Sequence, residues 1–289
     1  MSKLKKLEGR TAIVTGTSRG IGPYIAKSLA KEGVNLVLAA RSAQDLEQVA
    51  AEVRTDDIRV ITLPTDLADH EALKALVAAT ERELGEIDIL VNNAGFELQI
   101  PFHRLSLEDV DRIVRVNLMA PIELTHLVLP GMLQRERGHV VNVSSIAGYI
   151  GFPYTEAYAA AKSGLIGFSR TLRADYRGSG VSASALILGA IGGAGFGARA
   201  EQETGVEAPS FPMPHARTVG KAAVRAIKRD KAEIVIFPGP GRLMKAMMDF
   251  FPGMGPSMNR MAGVNGLMER IAIAREQQRE QGRTGSSAA

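Results

Sequence analysis

Thr11 to Gly22 reads T-A-I-V-T-G-T-S-R-G-I-G, and this stretch decides the fold. Thr11 to Thr15 is a β-branched, apolar run of strand length. Gly16, Gly20 and Gly22 follow, and Ile21 to Glu32 then carries helical periodicity as far as Gly33. A strand, a glycine turn and a helix in direct succession begin a parallel α/β unit. Glycine lets the backbone turn tightly and approach a ligand. The helix start adds unpaired N–H groups and the positive end of a dipole. The turn therefore predicts a pyrophosphate cradle made of Gly16, Ser18, Arg19, Gly20, Ile21 and Gly22. The spacing is not G-x-G-x-x-G, and alone it also suits an ordinary strand-to-helix turn.

The same alternation continues outward. Strands are predicted at Val34 to Ala39, Arg59 to Leu63, Ile87 to Val91, His139 to Val143, Val181 to Ile187 and Glu233 to Phe237. Helices are predicted at Ala43 to Arg54, His70 to Leu84, Ser106 to Leu133, Glu156 to Tyr176 and Thr218 to Arg229. Ser106 with Asp109 forms a capping signal. Seven short apolar strands alternating with helices imply a Rossmann-like, doubly wound parallel sheet in a three-layer α/β/α domain. Ligands of such sheets sit beyond the carboxyl ends of the strands.

Composition narrows the function. The 289 residues include no Cys, which excludes a disulfide scaffold, a thiolate nucleophile and a Cys-ligated zinc. His103 and His126 have no partner pattern for a metal, so no metal is expected. The net charge of +4 is modest, and the only dense basic run is Lys3, Lys5 and Lys6, so nucleic acid is not expected as a partner. The start lacks the apolar core of a signal peptide, and a reducing, cytoplasmic setting is expected. Gly178 to Ala198 carries no charge, but its glycines mark a strand and loop rather than a membrane span.

The second predicted strand ends in Leu38-Ala39-Ala40-Arg41, without the acid that holds a ribose hydroxyl pair in NAD enzymes. Arg41 instead offers a fork for a 2′-phosphate, and Arg19 offers a second cation. These point to NADP(H), with two solvated surface arginines as the plainer alternative. Tyr158 and Lys162 lie four residues apart on one helix face. Ser145 closes the fifth strand, Asn92-Asn93-Ala94-Gly95 closes the fourth, and Asn117 sits inside the long helix.

Taken together, these motifs resemble the short-chain dehydrogenase/reductase family from about Arg10 to Pro238. T-G-T-S-R-G-I-G matches its T-G-x-x-x-G-x-G turn, N-N-A-G its fourth-strand motif, and V-N-V-S-S with Y-A-A-A-K its active-site pair. The resemblance implies that Tyr158 is the acid in ketone reduction and the base in alcohol oxidation. It implies that Ser145 bonds the reacting oxygen and that Asn117 holds a relay water. It implies that Lys162 binds the nicotinamide ribose and lowers the Tyr158 pKa. An ammonium ~4 Å away is worth up to about three pKa units, less desolvation. Asp66 with Leu67 is expected along the adenine, and Asn93, Ala94, Gly95, Gly189 and Ile191 along the rest of the dinucleotide. The implied activity is hydride transfer between NADP(H) and a carbonyl or secondary alcohol. A hydrophobic ketone is the first expectation, a 3-oxoacyl thioester reductase an alternative, and a non-catalytic NADPH sensor another. A homodimer or homotetramer is implied by resemblance alone.

Two positions depart from the family pattern. Leu188 stands where a proline is usual, and Gly193 where a threonine holds the carboxamide. The Ile191 N–H is left to serve instead. Residues 1–240 are expected to form the catalytic domain, with a glycine-rich substrate loop at 189–217 acting as a mobile lid. Phe96, Ile146, Tyr149, Phe152, Tyr154 and Phe196 are expected to face the pocket. Most of the 11 Met lie after Pro209. Residues 241–289 are expected to be a helical extension with a disordered end. Arg242 to Phe251 should carry an apolar face, and Gly266 to Arg283 a charged helix. The extension has three possible uses: covering the pocket, packing on a partner subunit, or, less favoured, lying on a membrane surface.

Overall fold

All five residues of β1 (Thr11–Thr15) are buried, as a strand covered on both faces requires. The computed structural model describes residues 4–207, 212–239, 246, 250, 251 and 253–286. Within these, only the backbone is described for Phe196, Met254, Pro256, Met258 and residues 281–286. β1 pairs in parallel with β2 (Asn35–Ala40) on one side and with β4 (Ile89–Asn92) on the other. Beyond them lie β3 (Val60–Pro64), β5 (Gly138–Ser145), β6 (Val181–Leu188) and β7 (Glu233–Ile236). The sheet order is β3-β2-β1-β4-β5-β6-β7. Strand order reverses between β1 and β4, which opens a crevice at the carboxyl ends of those two strands.

The helices are α1 (Gly22–Ala30), α2 (Ala43–Val53), α3 (His70–Leu84), α4 (Leu107–Val114), α5 (Ala120–Gln134), α6 (Glu156–Asp175), α7 (Gly195–Thr204) and α8 (Ala216–Lys228). One core is built on Ile25, Leu29, Leu46, Val49, Val219 and Ala223, from α1, α2 and α8. The opposite core takes Leu73, Leu76, Leu124, Val128 and Leu172, from α3, α5 and α6. The doubly wound, three-layer architecture expected from the sequence is present. Its helix starts follow local rules: Ser42, Asp69 and Ser106 each accept backbone N–H bonds, and Ser106 with Asp109 completes a capping box.

The structure corrects three expectations. The helix expected at Ser106 to Leu133 is not uniform, because a π turn, Arg115–Met119, separates α4 from α5. The expected glycine loop contains α7, which ends at Gly205 in the left-handed conformation (φ 70°). An Arg199–Glu203 pair one turn apart and packing on the last helix offset its two glycines. The tail holds a helix that was not expected: α9 (Met254–Met261) precedes α10 (Val264–Ser286), which covers the charged helix expected at Gly266 to Arg283. Most of the Arg242 to Phe251 segment, and the last three residues, lie outside the described residues.

Gly178 to Ala198 forms β6, a turn and the start of α7, as the charge-free run suggested. The stretch Leu107–Gln134 is long and apolar enough to cross a membrane. Its Leu124, Val128 and Met132 are core residues packed on the sheet, and Ile113 is buried against α6.

Candidate active site

The turn after β1 is held by the loop after β4. Asn93 Nδ2 donates to the carbonyls of Thr15 (2.9 Å) and Gly16 (3.1 Å). Thr15 Oγ1 accepts the N–H groups of Asn93 and Ala94, each at 3.1 Å. Gly16 sits at φ +69°, and a Cβ there would lie 2.6 Å from Ala94 Cα. Gly22 packs closer still, because its Cβ would meet the Gly16 carbonyl oxygen at 2.1 Å. Glycine is thus required twice, at Gly16 where the turn crosses the loop after β4 and at Gly22 where the turn folds back on itself, and together they aim the α1 N-terminus into the crevice.

A cavity of about 930 Å³ runs along the crevice. Gly16, Ser18, Arg19, Gly20 and Ile21 line one end, together with Arg41, Asp66 and Leu67. Asn93, Ala94, Gly95, Gly189 and Ile191 line its middle reach, and Ser145, Tyr158 and Lys162 its catalytic end. Two expected site residues lie outside the lining. Gly22 is buried beneath the turn, and Asn117 is buried behind Phe96. Arg19 and Arg41 are exposed at the cavity's edge and make no ion pair among the described residues. Two uncommitted cations fit a phosphate there.

Tyr158 and Lys162 stand on one face of α6, 5% and 3% exposed. Ser145, at the carboxyl end of β5, hydrogen-bonds the Tyr158 side chain. Lys162 Nζ donates to the Val143 carbonyl at 3.0 Å and lies 5.6 Å from the Tyr158 ring centroid. The resemblance implied a phenol made more acidic by Lys162, whose Nζ here donates to the Val143 carbonyl. Burial pushes the Tyr158 phenol well above its ordinary range, and the Glu97 carboxylate pushes it further. The Ser145 hydrogen bond opposes both. Lys162 itself is lowered to about 8 by burial, against the pull of Glu97. The phenol therefore holds its proton at neutral pH.

Asn117 occupies the π turn. Its Nδ2 donates to the carbonyls of Phe96 (2.5 Å) and Ile113 (2.8 Å), and its Oδ1 accepts the Phe96 N–H (3.3 Å). The side chain is thus fully engaged by backbone and clamps the loop after β4. Single π turns inside α-helices frequently mark functional sites.

Sequence reasoning missed Glu97. It is 7% exposed, borders the cavity, and is pushed up to about 7 by burial, with Arg275 and Lys162 opposing the rise. Gln99, 6% exposed, and Met268 of α10 also border the cavity. The segment F-E-L-Q-I alternates as a half-exposed strand would, a pattern in which both polar residues look solvent-facing. The covering helix α10 buries them. An acid two residues after N-A-G, with arginines spaced along the last helix, was the available signal. Among the expected pocket residues, Phe96, Ile146 and Phe152 line the cavity. Tyr149 does not, and its hydroxyl accepts from Arg170 at 2.6 Å. Tyr154 does not either, and the side chain of Phe196 lies outside the described atoms. Among the described residues no cluster could hold a metal ion.

The family model for short chain dehydrogenases matches residues 10–204. The chain belongs to the short-chain dehydrogenase family. It is 36% identical over 235 residues to the ketoacyl reductase HetN of Nostoc sp., covering 81% of this chain and 80% of that one. It is 33% identical over 225 residues to the very-long-chain 3-oxoacyl-CoA reductase of Anas platyrhynchos, covering 76% and 69%. A metagenomic short-chain oxidoreductase solved in complex with NADP superposes with a TM-score of 0.69 at 28% identity, over 80% of this chain and 98% of that one.

Within this short-chain dehydrogenase, the two departures have local reasons. Leu188 extends β6 by pairing with Ile236, a register that leaves it buried. Gly193 adopts φ +67°, where a threonine would be strained.

Proposed function

We propose that this short-chain dehydrogenase reduces a ketone to a secondary alcohol with NADPH. The observation that carries the reading is the convergence of Ser145, Tyr158 and Lys162 at one end of a cavity whose other end presents Arg19 and Arg41. The glycine crossing fits a pyrophosphate, and the two free guanidiniums fit a 2′-phosphate. When bound, the reduced nicotinamide supplies the hydride. Ser145 Oγ orients the substrate carbonyl. Tyr158 delivers its phenolic proton to the carbonyl oxygen as negative charge develops there. The elevated Tyr158 pKa keeps that proton in place between turnovers, the resting form that reduction needs. Lys162, next to Tyr158, is placed to hold the ribose and to stabilise the phenolate as it forms.

A second reading narrows the substrate to a 3-oxoacyl thioester. It is favoured by two of the compared relatives, which are named as ketoacyl and 3-oxoacyl-CoA reductases. Both readings share the ketone and the residues that act on it. Residues 1–240 are taken as the catalytic domain, working in the cytoplasm as a homo-oligomer of the kind common in the family.

Tyr158→Phe tests the mechanism. It removes one hydroxyl and should leave the affinity for NADPH within about twofold, while turnover of any accepted ketone falls by at least ~10²-fold. Fluorescence titration and NADPH oxidation read the two effects separately. Undiminished reduction by the phenylalanine variant sinks the assignment.

A further inference from the structure

Beneath α10, beside the reacting end of the cavity, three polar side chains meet with their hydrogen bonds incomplete. Glu97 and Gln99 come from the loop after β4, two residues apart and both buried against the cavity. Met268 and Arg275 come from α10, seven residues apart and hence two turns along one face. Gln99 faces Met268, its Nε2 donating to Sδ at 3.6 Å, and Glu97 faces Arg275 through their charges. Glu203 of α7 closes the group by taking Arg275 Nη2 at 2.9 Å.

The unmet valences are specific. Gln99 Oε1 is buried with no donor among the described residues, and Arg275 Nη1 is buried with no acceptor among them. The Glu97 carboxylate makes no hydrogen bond to a described residue and opens on the cavity. Folded proteins seldom leave buried polar atoms unpaired, and each exception needs an occupant. The set on the cavity wall is two acceptors, with one buried donor, Arg275 Nη1, behind them. A hydrocarbon chain satisfies none of them, and a carboxylate would face Glu97 with like charge. A hydroxyl can donate to an acceptor on this wall without bringing a like charge to Glu97.

We propose that Glu97 and Gln99, backed by the buried Arg275 that Glu203 holds behind them, form a subsite for a hydroxyl group of the substrate, so that the ketone reduced here is a hydroxylated one. This deepens the reading above and rests on it for the reaction. Glu97 and Gln99 line the cavity together with Met268 of α10, which places the hydroxyl on the α10 side of the site. Sites built to bond a hydroxyl reject the analogue that lacks it far more strongly than apolar pockets sort by size.

The test compares 2-octanone with hydroxy-2-octanones carrying the hydroxyl at successive carbons from the fourth to the eighth, as substrates of the full chain with NADPH. At least one hydroxy ketone should exceed 2-octanone in kcat/KM by roughly tenfold or more. Gln99→Leu and Arg275→Met should each reduce that ratio to about twofold or less. A second arm needs no turnover: 2-octanol and the matching octanediols are titrated by calorimetry into the protein with NADP+. A diol preference without oxidation of NADPH by any ketone would keep the subsite and refute the reductase reading. Equal handling of 2-octanone and every hydroxy ketone, with equal binding of 2-octanol and every diol, overturns the proposal and leaves an ordered water as the occupant. If a substitution abolishes NADPH binding, and so folding, the comparison in the unaltered chain decides alone.

Discussion

Glu97 is the one carboxylate that reaches both the catalytic pair and the covering helix, and it titrates where proteins are usually handled. Its pKa is raised from 4.5 to about 7, first by burial. A carboxyl with a raised folded-state pKa contributes its stability below the unfolded value, and that contribution is lost as pH rises through the folded value. The window here runs from about pH 4.5 to about pH 7. Above it, the folded chain carries a buried anion at a cost on the order of 3 kcal/mol. Glu97→Gln removes that titration. Its stability relative to the unaltered chain should rise between pH 5 and pH 8, a difference of several degrees in Tm for a chain of this size. Melting curves of both proteins at the two pH values measure it, and an equal difference at both would refute it. Ser145, Tyr158 and Lys162 were legible in the sequence because each is fixed by a strand end or a helix face a few residues away. Glu97 was not, because the cation that answers it, Arg275, arrives from the far end of the chain.

At the scale of elements, the strands were legible because parallel strands buried on both faces must be continuous apolar runs, and V-I-L runs of strand length are hard to mistake. α7 was not, because its glycines argue locally against a helix. What holds it lies elsewhere, in Arg275 Nη2 and Gln278 Nε2 of α10, which bond the side chain and carbonyl of Glu203. The π turn was equally hidden, since one extra residue in a helical turn leaves the apolar pattern almost intact. The element most exposed to a single change is the β1–α1 turn, where it folds back on itself at Gly22. In Gly22→Ala the new methyl would lie 2.1 Å from the Gly16 carbonyl oxygen and 2.8 Å from Thr17 Cα, backbone atoms that cannot step aside. The turn must open, and NADPH affinity should fall by more than about tenfold. Gly167→Ala serves as the control, because a methyl at Gly167, within α6, meets nothing within 4 Å. It should bind NADPH normally and melt at the same temperature or slightly higher. Equal NADPH affinity in the two variants would show that this close fold-back does not shape the cofactor turn.

At the scale of the whole molecule, the sheet and both helix layers are complete by Ile236, and the tail adds a third kind of contact. α10 buries Met268, Ile271 and Ala272. It is tied to the core by Arg275–Glu203 at 2.9 Å, Arg279–Asp109 at 2.7 Å and Arg104–Glu276 at 3.3 Å. These anchors lie on α7, α4 and the loop after β4, all on the substrate side of the crevice. None lies on the β1–α1 turn or near Arg41. Of the three uses the sequence left open for the tail, covering the pocket is the one these contacts support. Composition could show that the tail was apolar and methionine-bearing, but not which surface it would meet. The arrangement makes a divided prediction for a chain ending at Gly239. Its NADPH affinity should stay within about twofold of the full chain, because every lining residue at the cofactor end remains. Its KM for the carbonyl substrate should rise at least ~fivefold, because Met268 is gone and Glu97 and Gln99 stand open to water, where bonds to a substrate compete with solvent. Fluorescence titration and steady-state kinetics measure the two halves. An unchanged KM would mean that α10 covers the site without shaping it. Lost NADPH binding would mean that the tail is part of the core it was read as capping.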